Sequence, residues 1–337
     1  MRAFVITAPQ CGEVQEVAPP TAAPGQAVVD VERAGVCGTD AEFFTGEMAY
    51  LHTGQAAYPI RIGHEWVGTV SSVGDGVDAS WVGQRVTGDT MLGCGHCQRC
   101  TSGRQHLCED RYEIGIRNGW PGALAEQLPV PVTALHRVPD PVDAAAGALI
   151  EPGANALRSV DAAALAPGER MLVLGTGTIG LLVAMIAAAR GIEVHLLARR
   201  PEAVAFARAV GFDHAWTRED LPALAFDAVV DASNAPHLPA LAAELVEPGR
   251  RVVYVGLAGQ PSMLDTRTLA FKDVTAVGIL SGSPGLAGTI ELYGSGAVDP
   301  RPLLATTVGL DGVSAVLRGE RPAAWGPAPK VHVDPRR

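Results

Sequence analysis

The chain has 337 residues, of which 47% are apolar and 18% charged, so it is long enough for two domains and unlike a disordered protein. Its net charge is −10 and its basic residues are scattered, which argues against a nucleic-acid partner. The N-terminal residues lack a basic segment followed by an apolar stretch, and the apolar run 179–189 is too short to span a bilayer. We therefore expect a cytoplasmic protein with no membrane partner, whose thiols stay reduced.

Short apolar runs separated by turn signals characterise roughly the first 150 residues. The runs 27–31, 66–73 and 85–88 are bounded by turns at 24–25 and 74–76. This pattern predicts an irregular β domain with long loops.

Four cysteines, Cys94, Cys97, Cys100 and Cys108, form a Cys-x2-Cys-x2-Cys-x7-Cys loop. Four thiolates can close a tetrahedral shell around Zn²⁺ and leave no position for substrate, which predicts a structural zinc loop over residues 93–109. An iron–sulfur cluster also uses four cysteines, but in the ferredoxin pattern the fourth is nearer and is followed by Pro, whereas Glu109 follows here. Disulfides are the remaining alternative, and a reducing compartment disfavours them.

From about residue 168 the sequence alternates between strand and helix patterns. We predict strands over 171–174, 193–198, 226–231, 251–255 and 274–280, with helices over 178–189 and 201–210. Such alternation predicts right-handed crossovers and a doubly wound parallel sheet. After about residue 284 the pattern loosens, and we expect the tail to return to the first domain.

A glycine-rich turn directly follows the first of these strands and opens the first helix. It consists of Gly175, Thr176, Gly177, Thr178, Ile179 and Gly180. In this context Gly175 allows the tight turn, Gly177 lets the backbone approach a pyrophosphate, and Gly180 allows close helix–strand packing. The turn therefore predicts a dinucleotide site.

The end of the second strand decides which dinucleotide is bound. An NAD enzyme usually has an acidic residue there, but this chain has Ala198 followed by Arg199 and Arg200. Guanidinium groups suit a 2′-phosphate, so we predict NADP in preference to NAD. The alternative is a solvated helix start with no ligand. Residues at later strand ends are also predicted to line the cofactor cleft: Ser233, Asn234, Gly256 and Ser281.

Candidate ligands for a catalytic metal lie in the first domain and at its end. Cys37 offers a thiolate, the adjacent His64 and Glu65 offer an imidazole and a carboxylate, and Glu151 offers a second carboxylate. A Cys/His/Glu shell of three ligands would leave one tetrahedral position for substrate. Each residue alone is unremarkable, since a lone Cys or His is usually a core residue. The set gains weight only beside the thiolate loop and the nucleotide motif.

The motifs together resemble those of the zinc-containing medium-chain alcohol dehydrogenases. Residues 63–77 read Gly-His-Glu-x2-Gly-x5-Gly-x2-Val, and the segment 35–40, the thiolate loop and the turn 175–180 follow in the family's order and approximate spacing. The resemblance covers essentially the whole chain. It implies an α/β protein with an N-terminal GroES-like β domain and a Rossmann domain, with the active site between them.

The resemblance also implies a domain division and roles for individual residues. Residues 1–151 and 284–337 would form the catalytic domain, and 152–283 the nucleotide-binding domain. Cys37 and His64 would be zinc ligands, with Asp40 orienting His64.

Three further positions carry implied roles. Glu65 would be a ligand or lie just outside the metal shell, and Glu151, in a context that resembles polyol and glucose dehydrogenases, would be the third ligand. Thr39 would pass a proton outward, unless it is a simple turn hydroxyl.

The expected function is transfer of a hydride between a secondary alcohol of a polyol, sugar or cyclitol and NADP. The resemblance implies two Zn²⁺ per chain, one catalytic and one structural, and a homodimer or homotetramer. Alternatives are a dedicated biosynthetic dehydrogenase acting on a secondary-metabolite alcohol, a zinc-independent quinone or alkene reductase, and a non-catalytic member of the superfamily. The insert 48–53 and the C-terminal region depart from glucose dehydrogenases, so the substrate within the class stays open.

Overall fold

The computed structural model describes residues 1–337. In chain order the strands are β1 (Arg2–Ala8), β2 (Cys11–Glu16), β3 (Gln26–Gly35), β4 (Glu65–Val73), β5 (Arg85–Gly88), β6 (Met91–Leu92), β7 (Tyr112–Glu113), β8 (Gln127–Pro131), β9 (Leu135–Arg137), β10 (Arg170–Leu174), β11 (Glu193–Leu197), β12 (Ala215–Trp216), β13 (Phe226–Asp231), β14 (Val246–Tyr254), β15 (Thr275–Gly278), β16 (Leu304–Val308) and β17 (Lys330–Val333). The α-helices are α1 (Gly38–Thr45), α2 (Ala49–His52), α3 (Gln98–Thr101), α4 (Ala144–Gly147), α5 (Ile150–Ala163), α6 (Thr178–Ala189), α7 (Pro201–Ala209), α8 (Leu238–Leu245), α9 (Thr266–Phe271), α10 (Leu286–Gly294) and α11 (Val313–Leu317). Short 3-10 helices cover Ala79–Trp81, Gln105–Leu107, Val132–Ala134, Ser283–Gly285, Arg301–Leu303, Leu310–Gly312 and Ala323–Trp325.

Six parallel strands form the sheet of the second half, in the order β12-β11-β10-β13-β14-β15. Numbered along the chain this is the order 3-2-1-4-5-6 of a doubly wound dinucleotide-binding sheet, which confirms the predicted fold class. The predicted strands and helices are all present with small shifts at their ends. The sequence reading missed β12, because two residues are too short to show a period, and it placed the start of β14 five residues late.

The second large sheet gathers strands from both ends of the chain. Its order is β16-β17-β3-β4-β5-β9, with β8 on the other part of β3. Strand β17 pairs antiparallel with β3, with His332 opposite Gly35 and Val333 opposite Ala34. The last strands therefore lie beside the segment that leads into Cys37.

Helix α5 links the two sheets. Its buried face belongs to the core around β10 and α6, and that core also includes Val67 of the N-terminal sheet. The sequence reading did not predict this helix, although Pro152 in its first turn is a usual helix-start signal. Glu151, also in the first turn, is thereby placed where the two halves meet.

None of the protein's helices combines the length and the apolar character needed to cross a membrane.

Candidate active site

The thiolate loop folds its four sulfurs into one compact group. The Cys97 sulfur lies 3.5 Å from that of Cys100 and 3.8 Å from that of Cys108, and the Cys94 and Cys100 sulfurs are 3.9 Å apart. A tetrahedron with Zn–S bonds of about 2.3 Å has S···S edges of about 3.8 Å. These spacings fit a Zn²⁺ ion and are too long for disulfides, whose S–S bond is about 2.05 Å.

Backbone amides in the loop donate to its sulfur atoms and favour the thiolate form of Cys94. The Cys97 amide donates to the Cys94 sulfur at 3.4 Å, and the Cys94 amide donates to the Cys108 sulfur at 3.5 Å. The amides of His96 and Cys97 lower the pKa of Cys94 to about 6, as hydrogen bonds to a charged form do. Burial, by contrast, raises the pKa of Cys100 to about 12, with the neighbouring cysteine side chains adding to the rise, so the four sulfurs do not all favour the thiolate form.

A second group consists of Cys37, His64 and Glu65, whose ligand atoms all lie within 4.8 Å of one another. Cys37 follows β3 and is the N-cap of α1, while β4 begins at Glu65. The antiparallel pairing of β3 with β4 sets Gly35 opposite Glu65, which brings the two segments together. A Cβ at position 35 would lie 2.0 Å from Oε2 of Glu65, so a larger residue here would displace that carboxylate.

Asp40 fixes the backbone around this group. Its fully buried carboxylate accepts hydrogen bonds from the amides of Cys37, at 2.9 Å, and of Gly63, at 3.1 Å. Its distance to Nδ1 of His64 is 3.9 Å, too long for a hydrogen bond. Asp40 therefore holds the two ligand-bearing segments and is not directly bonded to the imidazole that it was expected to orient.

The His64 imidazole lies in a strongly anionic environment. Its Nδ1 is buried without a hydrogen-bond partner. Burial by itself disfavours the charged imidazolium, but the Cys37 thiol and the carboxylates of Asp40 and Glu151 together raise the pKa of His64 well above its usual value. The residues around His64 therefore favour a positive charge at this place, which fits a metal cation.

Glu65 is already paired with a cation. Both of its carboxylate oxygens accept from Nζ of Lys330, at 2.8 and 2.6 Å, and both side chains are almost completely buried. The same ammonium donates to the carbonyl of Val36 at 2.9 Å. Lys330 was not predicted as a site residue, although a lysine inside the alternating strand Lys-Val-His-Val is a signal that it has a buried partner.

Glu151 lies close to this group but outside the set of mutually adjacent ligand atoms. Its carboxylate accepts from Nδ2 of Asn155 at 2.9 Å, one turn along α5. Burial raises the pKa of Glu151 to about 7, with the charge of Glu65 adding to the rise and His64 opposing it. Asn155 is a second residue that sequence reasoning missed. Thr39 is half-buried in the first turn of α1, two residues after Cys37.

A third cluster, Glu193, His195 and His214, also has ligand atoms within 4.8 Å of one another. Its two imidazole rings are stacked, with centroids 4.6 Å apart and planes 9° from parallel. A metal binds in the plane of an imidazole ring, so one ion cannot lie in both planes. The nitrogens of His195 also contact Glu193 and Trp216. Hydrogen bonds and ring stacking within the protein account for this cluster, and we assign no metal to it.

The glycine-rich turn has the geometry that its sequence predicts. Gly175 has φ of +108°, a conformation that favours glycine, and a Cβ at Gly180 would overlap the carbonyl oxygen of Gly175. A Cβ at Gly177 would meet nothing, which leaves open space in front of the N-terminus of α6. Thr176, Thr178 and Ile179 are half-buried around that space. A pyrophosphate fits there.

Three of the predicted cofactor residues meet at the carboxyl edge of the parallel sheet. Gly175 lies against Ala232 and Ser233, and a Cβ at Gly256 would overlap the carbonyl oxygen of Ser233. The Ser233 hydroxyl donates to Asp231 at 2.7 Å, so this hydroxyl already has a protein partner. Asn234 follows it as an exposed residue.

The segment Ala198–Arg200 ends β11 at the same edge. Ala198 is buried, whereas Arg199 and Arg200 are exposed. Glu193 is the first residue of β11, at the opposite edge of the sheet, where Arg170 lowers the pKa of its carboxyl to about 2. The two arginines are therefore the charged groups next to the predicted adenosine side.

Two family models match the chain. Residues 23–140 match the alcohol dehydrogenase GroES-like domain, and residues 178–293 match the zinc-binding dehydrogenase domain.

Among curated proteins, the chain is 30% identical over 277 residues to L-threonine 3-dehydrogenase of Mesorhizobium japonicum, covering 79% of each protein. It is also 30% identical over 311 residues to 2-dehydro-3-deoxy-L-galactonate 5-dehydrogenase of Pseudoalteromonas atlantica, covering 89% of this chain and 85% of that protein.

Two solved structures superpose on nearly the whole chain. The alcohol dehydrogenase RspB of Escherichia coli, complexed with NADH, has a TM-score of 0.90 at 25% identity over 99% of both chains. A zinc-binding dehydrogenase of Sinorhizobium meliloti, bound to NADP, has a TM-score of 0.88 at 27% identity, again over 99% of both chains.

Proposed function

Because this chain belongs to the zinc-containing medium-chain alcohol dehydrogenase family, we propose that it transfers a hydride between a secondary alcohol of a small polyhydroxylated substrate and NADP. The observation that carries this proposal is the group of Cys37, His64 and Glu65 at the N-terminal sheet. A zinc-independent reductase would need no such set. We also propose the domain division at about residues 151 and 284, with the catalytic residues on the N-terminal side.

Two carboxylates compete to be the third zinc ligand, and the charges favour Glu151. Glu65 lies within the ligand group, but its negative charge is already neutralised by Lys330. If zinc took Glu65, Lys330 would lose its buried carboxylate partner, which is strongly destabilising. Glu151 accepts a hydrogen bond only from the neutral amide of Asn155 among side chains. We therefore propose a Cys37–His64–Glu151 shell, with Glu65 held just outside it.

The chain's own residues position substrate and proton. Zinc held by these ligands would supply a Lewis acid, and NADP⁺ held at the glycine-rich turn would supply a hydride acceptor. We propose that Oγ1 of Thr39, two residues beyond Cys37, accepts the substrate's hydroxyl proton while Thr39 passes its own hydroxyl proton outward. Asp40 keeps the Cys37 and His64 segments in register through their backbone amides, and so fixes the ligand geometry before substrate binds.

The cofactor proposal rests on the end of β11. A 2′-phosphate carries negative charge and several hydrogen-bond acceptors, and Arg199 and Arg200 are exposed beside its expected position. An NAD enzyme usually has an acidic residue that binds the ribose hydroxyl, but this chain has Ala198 at that position. The solved relatives include one with NADH and one with NADP, so similarity alone does not choose between the two.

The substrates of two relatives and the chemistry of the site support the proposed substrate class. One acts on a sugar-acid derivative and another on L-threonine, which are both small polar molecules with a secondary hydroxyl. We place the substrate among polyols, sugars, sugar acids or cyclitols, with a β-hydroxy amino acid as the second candidate.

We also propose a homodimer or homotetramer. Strand β15 is the edge of the parallel sheet, and the chain segment between β14 and β15 contains three strongly exposed apolar residues, Phe271, Met263 and Leu257, which are 88%, 87% and 78% exposed. Exposed apolar groups and an open strand edge favour pairing with a second copy.

We also propose a cytoplasmic location. None of the six cysteines forms a disulfide, which supports this proposal.

Zinc per chain is the first test, on protein purified without chelator. We expect about two ions in the wild type and about one in Cys37→Ser, because three-ligand and four-ligand sites would both be filled. Cys11→Ser is the matched control, since Cys11 is exposed and lies in neither group, and it should keep both ions.

Activity with NADP⁺ and NAD⁺ should then be measured on polyols, aldoses, sugar acids, inositols, L-threonine and simple aliphatic alcohols. Turnover of the aliphatic alcohols alone would contradict the substrate proposal. One zinc in both wild type and Cys37→Ser, with activity only on quinones or alkenes, would favour the zinc-independent reductase.

A further inference from the structure

The buried carboxylate of Asp89 joins the thiolate loop to a turn at the carboxyl edge of the parallel sheet. Asp89 follows β5 and is 4% exposed. Its Oδ2 accepts from Nε2 of Gln105 at 2.9 Å. Its Oδ1 accepts from the amide of Met91 at 2.9 Å and from the hydroxyl of Ser283 at 2.6 Å. The last bond spans 194 positions of sequence and crosses between the halves.

On one side, this chain of hydrogen bonds begins at Gln105, inside the thiolate loop. Gln105 lies between Cys100 and Cys108. It is packed so closely that a Cβ at Gly93 would meet both the Cys100 sulfur and the Gln105 side chain. The position of Gln105 therefore depends on how the four thiolates are arranged.

At its other end, the connection holds a strained turn. Ser283 donates to Asp89, and its own amide donates to Oγ of Ser281 at 3.0 Å, with the two hydroxyls 2.8 Å apart. Ser281 has φ of +68°, a left-handed conformation that is unfavourable for a residue with a Cβ. Such a turn persists only where neighbouring groups hold it.

Helix α5 supplies the remaining support for this turn. Arg158 donates to the carbonyls of Leu280 and Ser281. A Cβ at Gly282 would meet Ala154 and the carbonyl of Glu151, so the turn lies directly on the helix start that carries Glu151. The turn also follows β15 at the carboxyl edge of the parallel sheet, which is where nucleotides bind in this fold.

We propose that Asp89 is a positioning residue, which transmits the order of the thiolate loop through Gln105 to the Ser281–Ser283 turn and thereby sets nucleotide affinity. The thiolate loop then acts on cofactor binding as well as on folding. This inference rests on the nucleotide function proposed above for this edge of the sheet. It assigns roles to Asp89, Gln105 and Ser283, which belong neither to the proposed zinc ligands nor to the glycine-rich turn.

The test uses three single variants of the full-length zinc-loaded protein. Ser283→Ala removes the bond between the halves, and Gln105→Leu removes the bond to the thiolate loop. Ser295→Ala is the matched control, because its exposed hydroxyl bonds only within the end of α10. Two quantities are measured: amide hydrogen exchange over residues 279–286, and the Kd of NADPH and NADH by fluorescence titration.

We expect Ser283→Ala to speed exchange over 279–286 and to weaken the preferred nucleotide about fivefold, since a buried bond to a charged acceptor is lost. The KM for the nucleotide should rise while kcat at saturation stays at the wild-type value, which a general loss of folded protein would not produce. Gln105→Leu should change both quantities in the same direction by less. Ser295→Ala should match the wild type.

Other outcomes overturn defined parts of the inference. Exchange in Ser283→Ala equal to that in Ser295→Ala would refute the connection itself. Faster exchange with unchanged Kd would refute its effect on the nucleotide. A wild-type result for Gln105→Leu would refute the link to the thiolate loop. If the wild type bound neither NADPH nor NADH, the proposed function would fail, while the exchange measurement would still decide whether Asp89 holds the turn.

Discussion

Removal of the Lys330 ammonium is the most informative single change, because that group neutralises a buried carboxylate beside the proposed catalytic metal. Lys330→Met keeps most of the side-chain volume and deletes the charge. Glu65, 1% exposed, would then lose both charge-assisted bonds, at 2.6 and 2.8 Å. Removing one partner of a buried ion pair costs about 3–5 kcal/mol, because the other charge stays buried without compensation. We expect a loss of this size in the free energy of unfolding.

The assay is urea unfolding at pH 7, analysed from the midpoint and slope. Lys272→Met is the matched control, since Lys272 is the other lysine of the chain and bonds only to the carbonyls of Ala243 and Glu244. It should lose about 0.5–1.5 kcal/mol, as expected for an ordinary hydrogen bond. The double variant Glu65→Gln/Lys330→Met removes both charges and should be more stable than Lys330→Met alone.

A loss below about 1 kcal/mol in Lys330→Met would refute this reasoning, because an exposed or already neutralised pair is worth no more than that. The most direct explanation would then be that zinc holds Glu65. Zinc per chain in the same variant separates the two cases. If Glu65 is the ligand, the variant keeps its catalytic zinc, whereas loss of zinc would indicate that Lys330 supports the Cys37 segment through its bond to Val36.

Three further changes test the rest of the site. Gly180→Ala should abolish NADPH binding in titrations and leave zinc per chain unchanged, because its Cβ would overlap the Gly175 carbonyl. The double variant Arg199→Ala/Arg200→Ala should reduce the ratio of kcat/KM for NADP⁺ to that for NAD⁺ at least about tenfold, and an unchanged ratio would mark both arginines as solvated. In zinc-free protein, burial raises the pKa of Glu151 from 4.5 to about 7, so its contribution to stability should fall by about 3 kcal/mol between those pH values. In Glu151→Gln, the free energy of unfolding measured with urea should not show this decrease over the same pH range.

The parts of the site that depend on short sequence spacing were predictable. Cys94 to Cys108 and Gly175 to Gly180 each form within one loop or one turn, so the order of residues almost determines the geometry. The parallel sheet was predictable for a related reason, because each strand–helix unit carries its own period. Strand ends were less reliable, and the two-residue strand β12 gave no signal at all.

The parts that depend on distant contacts were not predictable from local patterns. Lys330 reaches Glu65 across 265 positions, and Ser283 reaches Asp89 across 194. A charged residue in an apolar strand indicates that it has a buried partner, but the local sequence does not identify that partner. Asn155 was in principle within reach, since it lies four residues after Glu151 on a helix that the Ala- and Gly-rich sequence did not reveal.

Buried charges from separate parts of the chain meet at the proposed active site. Asp40 comes from α1, Glu65 from β4 and Glu151 from α5, and all three carboxylates are almost fully buried. Lys330 supplies one compensating positive charge from the last strand. Burial raises the pKa of both Asp40 and Glu151, because an ionised carboxylate loses its solvation there, while the charges of His64 and Lys330 oppose the rise. We propose that a dication at this point would stabilise the ionised carboxylates that the metal-free site disfavours.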